Sequence, residues 1–277
     1  VTRAAVDYLK RSNMTLGEFV PDASPDRAPL PAAVDVQALV GSYKGDAAVA
    51  AGEAFDTSLA NLEARTERVA LANGIQVALL PRRTRGRTVN VSLMMQYGDA
   101  QSLFGQATLA SATAAMLSKG TAQHTRQAYD DALDAMLARM AFGGSGQQLT
   151  ARAQTVRDHL DGVLALMAEA LRTPAFPADE TANLKREWQA SIEQGRTDPE
   201  AVADREIDRV NNPYPRGDLR YAPTIDEDLA DVAAITPAAM QAFHDRFYGA
   251  SHAEIAVVGD FDPATVKATL ERLFGDW

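Results

Sequence analysis

Between Thr88 and Tyr97, apolar side chains recur at every second residue: Val89, Val91, Leu93 and Met95. Successive residues of a strand point to opposite faces, so this pattern describes a strand in a sheet with one side covered. Something must do the covering, and the flanking sequence supplies it. Helical patterns are expected at about 103–118, 126–140, 155–171, 178–195 and 199–211. Beyond a Pro/Gly loop at 213–217, Thr236-Pro237 opens a helix to about residue 247, and a last helix runs from Pro263 to Phe274. Further strands are expected at Arg68–Ala72 and Ile75–Leu80, which form a hairpin about Asn73-Gly74, at about 142–153, and at Ala253–Val258. The order implies an α+β domain over residues 66–277, a mixed sheet with helices on one face.

The residues before 66 read differently. Residues 1–20 hold a short amphipathic helix, with Ala5, Val6 and Leu9 on its apolar side, and a strand-like Met14–Val20. Pro21, Pro25, Pro29 and Pro31 make 21–33 a semi-rigid linker. The Ala-rich stretch up to residue 65, helical around Val36–Tyr43, reads as a connector.

With 27 Lys+Arg against 37 Asp+Glu, the net charge of −10 disfavours a surface for phosphate backbones, and no nucleic-acid partner is expected. The chain has no Cys, which excludes disulfides, thiol nucleophiles and Cys-ligated zinc. No stretch approaches the ~18 apolar residues needed to span a bilayer, so no membrane partner is expected either.

Leu71-Ala72-Asn73-Gly74-Ile75-Gln76-Val77, the strand ending Gln96-Tyr97-Gly98-Asp99, and a helix ending Lys119-Gly120-Thr121 resemble, in that order, the opening of a domain of the pitrilysin/insulinase family of zinc metallopeptidases. Phe247-Tyr248, Ile255–Asp262 and Phe274-Gly275-Asp276-Trp277 resemble the end of such a domain. The resemblance implies the processing-peptidase-like fold, with a mainly antiparallel sheet, and paired domains forming a clamshell around a peptide chamber. The family's inverted zinc motif is His-x-x-Glu-His, in which two imidazoles one helical turn apart hold the ion and the Glu activates its water. Aligned on Lys119-Gly120-Thr121, the two ligand positions fall on Ser111 and Ala115 and the general-base position on Ala114. The third ligand would fall near Ser191, between Glu187 and Glu193. His124, His159, His244 and His252 include no pair three to five residues apart. No metal and no catalytic residue is therefore expected in this segment.

What the resemblance implies is a non-catalytic domain, with zinc carried by an upstream half of the same protein. Leu9–Val20 resembles the closing strand of a preceding domain, so the chain would be a piece of a protein about three times longer, ending with the third of four domains. Family members occur in periplasm, cytosol and organelles; periplasm is favoured.

The remaining motifs have structural and functional readings side by side. Gly143-Gly144-Ser145-Gly146 lacks the Lys-Ser/Thr of a phosphate loop. It reads as a strand edge or bulge where another backbone approaches, and by the resemblance Gly143 and Gly144 face the chamber as peptide contacts. In the loop Tyr214–Tyr221, Arg216, Arg220 and Tyr221 can bind peptide carboxylates and carbonyls, or can pin the loop to Asp226, Glu227 or Asp228. Asp130, Asp131 and Asp134 read as a solvated helix face, and Trp188 as core or interface filling. Two functions stay open: the inert half of a zinc endopeptidase, contacting peptide substrates beside the zinc-bearing half, or a scaffold module in a larger assembly. An independent hydrolase would need a nucleophile site, and neither Cys nor a local Ser-His pattern provides one.

Overall fold

The computed structural model describes residues 6–11, 14–18, 35–36, 41 and 51–277. The chain divides into two units, Val1–Ala47 and Ala48–Trp277. In the first, Val6–Tyr8 are helical, while Met14–Glu18 are exposed and belong to no strand, so the described part of the expected strand Met14–Val20 is not formed. A strand without neighbours has nothing to pair its backbone groups. The Pro-rich linker 21–33 lies outside the described residues, as does the helix around Val36–Tyr43 apart from Val36 and Gly41.

The second unit is built on strands β1 (Glu67–Ala70), β2 (Gln76–Pro81), β3 (Thr88–Gln96), β4 (Arg139–Ser145), β5 (Gln148–Val156) and β6 (Ala253–Gly259). They form one sheet in the order β1-β2-β6-β3-β5-β4. Only β2 and β6 run parallel; every other pairing is antiparallel. The fold is thus α+β with a mixed, mainly antiparallel sheet, as the sequence implies.

The alternation of β3 places Val89, Val91, Leu93 and Met95 in the core and leaves Asn90, Ser92 and Gln96 exposed. Leu149, Ala151 and Ala153 of β5 and Ile255 and Val257 of β6 join the buried side. Helices α2 (Ala107–Met116), α4 (Leu160–Arg172), α8 (Pro237–Phe247) and α9 (Pro263–Phe274) cover that side, with α3 (Arg126–Ala135) packed beside β4. A second buried cluster of Met116, Phe176, Leu184, Val232, Ile235 and Met240 lies on the far side of α2, under α5 (Ala178–Gln194) and α7 (Ile225–Ala233). Two further helices complete the unit. The short α1 (Leu59–Arg65) is held where Arg65 pairs with Glu53 at 2.8 Å and donates to Pro81 O. The other is α6 (Pro199–Asn211).

Three elements depart from the sequence reading. The single strand expected at 142–153 is a hairpin, β4–β5, turning at Gly146-Gln147, where Gly146 holds φ +57°. The helix expected over 126–140 stops at Ala135, because Leu137 takes φ +50° and redirects the chain into β4. Helix α7 was not expected at all. Its start is a full capping box, in which Thr224 accepts from the Glu227 N–H and Glu227 accepts from the Thr224 N–H.

Candidate functional site

Helix α2 reads Ala-Thr-Leu-Ala-Ser-Ala-Thr-Ala-Ala-Met, apolar or small on every side, and buries Ala110, Ala112, Thr113, Ala114 and Met116. Its small side chains let it sit close against β4. Ala114 is 1% exposed, and a Cβ built on Gly144 would lie 2.6 Å from the Ala114 Cβ. The general-base position is therefore a methyl group pressed against the sheet. Ser111 sits one turn earlier, its hydroxyl donating to Ala107 O at 3.2 Å. Ala115, like Trp188 and Ile192 of α5, packs against the second buried cluster.

Of the four motif positions, Ser111 and Ser191 come together at one cavity, which Ala114 and Ala115 do not line. Ser111, Ser191, Trp188 and Ile192 line one cavity of about 450 Å³, together with Ser145 and Gly146 at the end of β4. Among the described residues strand β4 pairs only with β5 and forms one edge of the sheet, so the cavity opens beside a backbone edge without a described strand partner. Zinc takes imidazole, thiolate or carboxylate donors, whereas the positions here offer two hydroxyls and two methyls. The donor set does not fit a zinc ion. Glu187 and Glu193 are exposed, and Glu193 pairs with Arg196 at 2.6 Å. Among the described residues no three His, Cys, Asp or Glu side chains gather as a metal site. The histidines are placed apart, with His124 bonded to Glu169 at 2.8 Å and His244 to Leu171 O at 2.8 Å. Asp130, Asp131 and Asp134 lie exposed on α3, where Asp131 accepts from Gln127.

A neighbouring cavity of about 510 Å³ shares Ala107, Thr108 and Pro223 with the first and is lined by Phe104, Arg216, Asp218 and Tyr221. Its wall is a charge clamp. The three acids that open α7 each take a different arginine: Asp226 takes Arg196 from beyond α5, Glu227 takes Arg216 from the loop, and Asp228 takes Arg205 from α6. Arg216 also reaches Asp231 at 3.0 Å, and the Tyr221 hydroxyl donates to Glu227 at 2.9 Å. The Thr224 N–H, then the Tyr221 hydroxyl, hold the Glu227 carboxyl below the usual carboxylate range. Arg220 stacks over Tyr214 at 3.7 Å and bonds Asp218, pulling that carboxyl down to about 2. Arg216 and Tyr221 are thus pinned to Glu227, while Arg220 pins the loop to itself.

The two glycines of the Gly-rich stretch divide. Gly144 faces α2 and admits the helix rather than a peptide backbone, while Gly143 points to the open face with no neighbour closer than 3.6 Å to a built Cβ. Phe104 and Asp231 at the second cavity escaped the sequence reading. Phe104 is 53% exposed beside Gly105, and no periodic pattern marks such a residue in a turn.

The family model for the peptidase M16 inactive domain matches residues 234–277, the segment from the end of α7 through α8, β6 and α9. A crystal structure of a peptidase M16 inactive domain from Pseudomonas fluorescens matches at 26% identity with a TM-score of 0.65, over 75% of this chain and 50% of that one. This chain is similar to M16 inactive domains, in sequence over its last segment and in fold over three quarters of its length. A protease from Helicobacter pylori shares its fold at 19% identity, with a TM-score of 0.63 over 76% of this chain and 50% of that one. The chain spans about half the length of these solved structures. No curated protein matches the chain. The pitrilysin/insulinase resemblance and the non-catalytic character read from the sequence agree with these matches.

Proposed function

We propose that this domain is the non-catalytic part of a zinc-dependent endopeptidase, enclosing peptide substrates against a zinc-bearing half of the same protein. One observation carries the reading. The junction of α2, α5 and the edge of β4 keeps a substrate-sized cavity, while Ser111, Ala114, Ala115 and Ser191 supply neither a metal ligand nor a base. A domain that keeps the hollow without the chemistry contributes position and water exclusion, effects that come from closure of two parts. Relatives of which this chain covers only about half support the existence of further domains.

Within the proposal, an extended peptide pairs with the free edge of β4 near Gly143, and its side chains enter the hollows beside Trp188 and Phe104. Arg216, Arg220 and Tyr221 then shape the second hollow from the clamp, and the exposed part of Arg216 is the one that touches substrate. The chain alone should cleave no peptide. Added to a zinc-bearing half prepared without it, the chain should raise kcat/KM. An unchanged rate, with association of the two demonstrated, would reject the chamber reading and return the scaffold reading.

A further inference from the structure

The hollow of about 510 Å³ beside Phe104 has more carboxylates than cations in and behind its wall. Asp218, Glu227 and Asp231 stand there against Arg216 and Arg220. Arg220 is taken up by Asp218, which it holds through both Nε and Nη2. Arg216 is divided, its Nη1 reaching Glu227 at 3.3 Å and its Nη2 reaching Asp231 at 3.0 Å. Glu227 has further donors in the Tyr221 hydroxyl and the Thr224 N–H, whereas Asp231 has its share of Arg216 alone. Among the described residues its Oδ2 receives no hydrogen bond, and the side chain is 42% exposed.

Asp231 also sits where a carboxylate is disfavoured, in the last turn of α7, at the negative end of the helix dipole. Lys185 reaches that end of the helix, but it donates to Ala233 O at 2.6 Å and Ile235 O at 3.0 Å and forms no ion pair with Asp231. A carboxylate half satisfied at such a place is drawn to a cation from outside.

The rest of the hollow suits the stem of such a cation. Ala107, Leu109, Ile235 and Ala239 form apolar walls along which methylene groups can be buried. Phe104, 53% exposed, rests on the backbone of Gly217, where a built Cβ would lie 2.4 Å from its ring. The Gly105 N–H donates to Gly217 O at 2.7 Å, so the turn carrying Phe104 and the loop carrying Arg216 are one wall. An exposed ring held in this way attracts a guanidinium or ammonium group. An acidic side chain in the hollow would meet Asp231, and an apolar one would desolvate Asp231 without compensation.

Resting on the chamber reading, we infer that this hollow is a specificity pocket for a long basic side chain, Lys or Arg, of the enclosed peptide, selected by Asp231 and Phe104. Arg216 stays between Glu227 and Asp231 and steadies the carboxylate that the peptide cation meets.

The test is fluorescence anisotropy of the full chain, at low salt, with three labelled peptides capped at both ends and identical except for Arg, Leu or Glu at one central position. The Arg peptide should bind about three- to tenfold tighter than the Leu peptide, and the Glu peptide most weakly. Asp231→Asn should remove the Arg advantage, Asp231→Glu should retain it, and Phe104→Leu should reduce it in part. Asp134→Asn makes the same change of net charge at an exposed site on α3 and should leave all three affinities unchanged. Circular dichroism checks that each variant keeps the fold. Equal affinities for the three peptides overturn the inference and leave the chamber reading standing. An Arg advantage that survives Asp231→Asn, or that Asp134→Asn lowers as much, also overturns it, because the acidic surface as a whole is then the attractor. If none of the three binds up to millimolar concentration, the pocket and the chamber reading fall together.

Discussion

Gly143 and Gly144 are chain neighbours with opposite surroundings. Gly144 stands under α2, where an added methyl would meet Ala114 at 2.6 Å; Gly143 stands on the open face, where it would meet only ordinary contact. The same division runs through the whole sheet. One face carries a close-packed core under helices, the other carries Asn90, Ser92, Arg139, Arg152 and Glu254 in solvent. Residues one position apart in sequence therefore answer to different physics, packing on one side and charge on the other.

The largest expected contrast is between Leu93 and Ser92. Leu93 is fully buried, and Leu93→Ala should cost about 2–5 kcal/mol in chemical denaturation. Ser92→Ala, on the open face, should stay within about 0.5 kcal/mol. Equal losses would mean that both faces are covered in solution. Next come the glycines: Gly144→Ala should cost about 1–3 kcal/mol by overpacking, while Gly143→Ala should be close to neutral. Ala114→Gly added to Gly144→Ala should recover part of the loss, and an additive double variant would place the strain elsewhere.

The α7 clamp is a smaller matter of caps and surface charge. Thr224→Ala removes one half of the capping box and should cost about 1 kcal/mol. The smallest effect is electrostatic. The carboxyl of Asp218 is depressed to about 2 by Arg220, so its contribution is fully present above the ordinary carboxylate range and is lost as pH falls through about 2. The thermal midpoint of Asp218→Asn should therefore decline less steeply than that of the parent between pH ~4 and ~2. A parallel decline would mean that the Arg220 contact is not held in solution.

Much of this architecture was legible in the sequence because it rests on local rules. The alternation of β3, the Asn-Gly hairpin and the prolines at the starts of α6, α8 and α9 are signals carried by a few adjacent residues. What was missed depends on backbone states or on distant partners. Leu137 at φ +50° ends α3 although Leu, Ala and Met around it suit a helix, and nothing in its side chain announces a left-handed backbone. Helix α7 does carry a readable sign, Thr224-x-x-Glu227, but Asp226, Glu227 and Asp228 serve as ion-pair partners as well as a helix start, and the first role masks the second. The positions Ser111, Ala114, Ala115 and Ser191 came from the family resemblance; that Ser111 and Ser191 share one hollow depends on the packing of α2 against α5, which no local pattern encodes. Arg216 pairing with Glu227 was among the foreseen options, whereas Arg220 turning back to Asp218 was not.

The central claim is that the α2–α5 junction keeps its hollow and has lost its metal chemistry. Metal analysis of the folded chain after dialysis against zinc and then against metal-free buffer tests it directly. The account predicts far less than one zinc per chain, unaltered by Ser111→Ala. One zinc per chain, released on substituting Ser111 or Ser191, would contradict it.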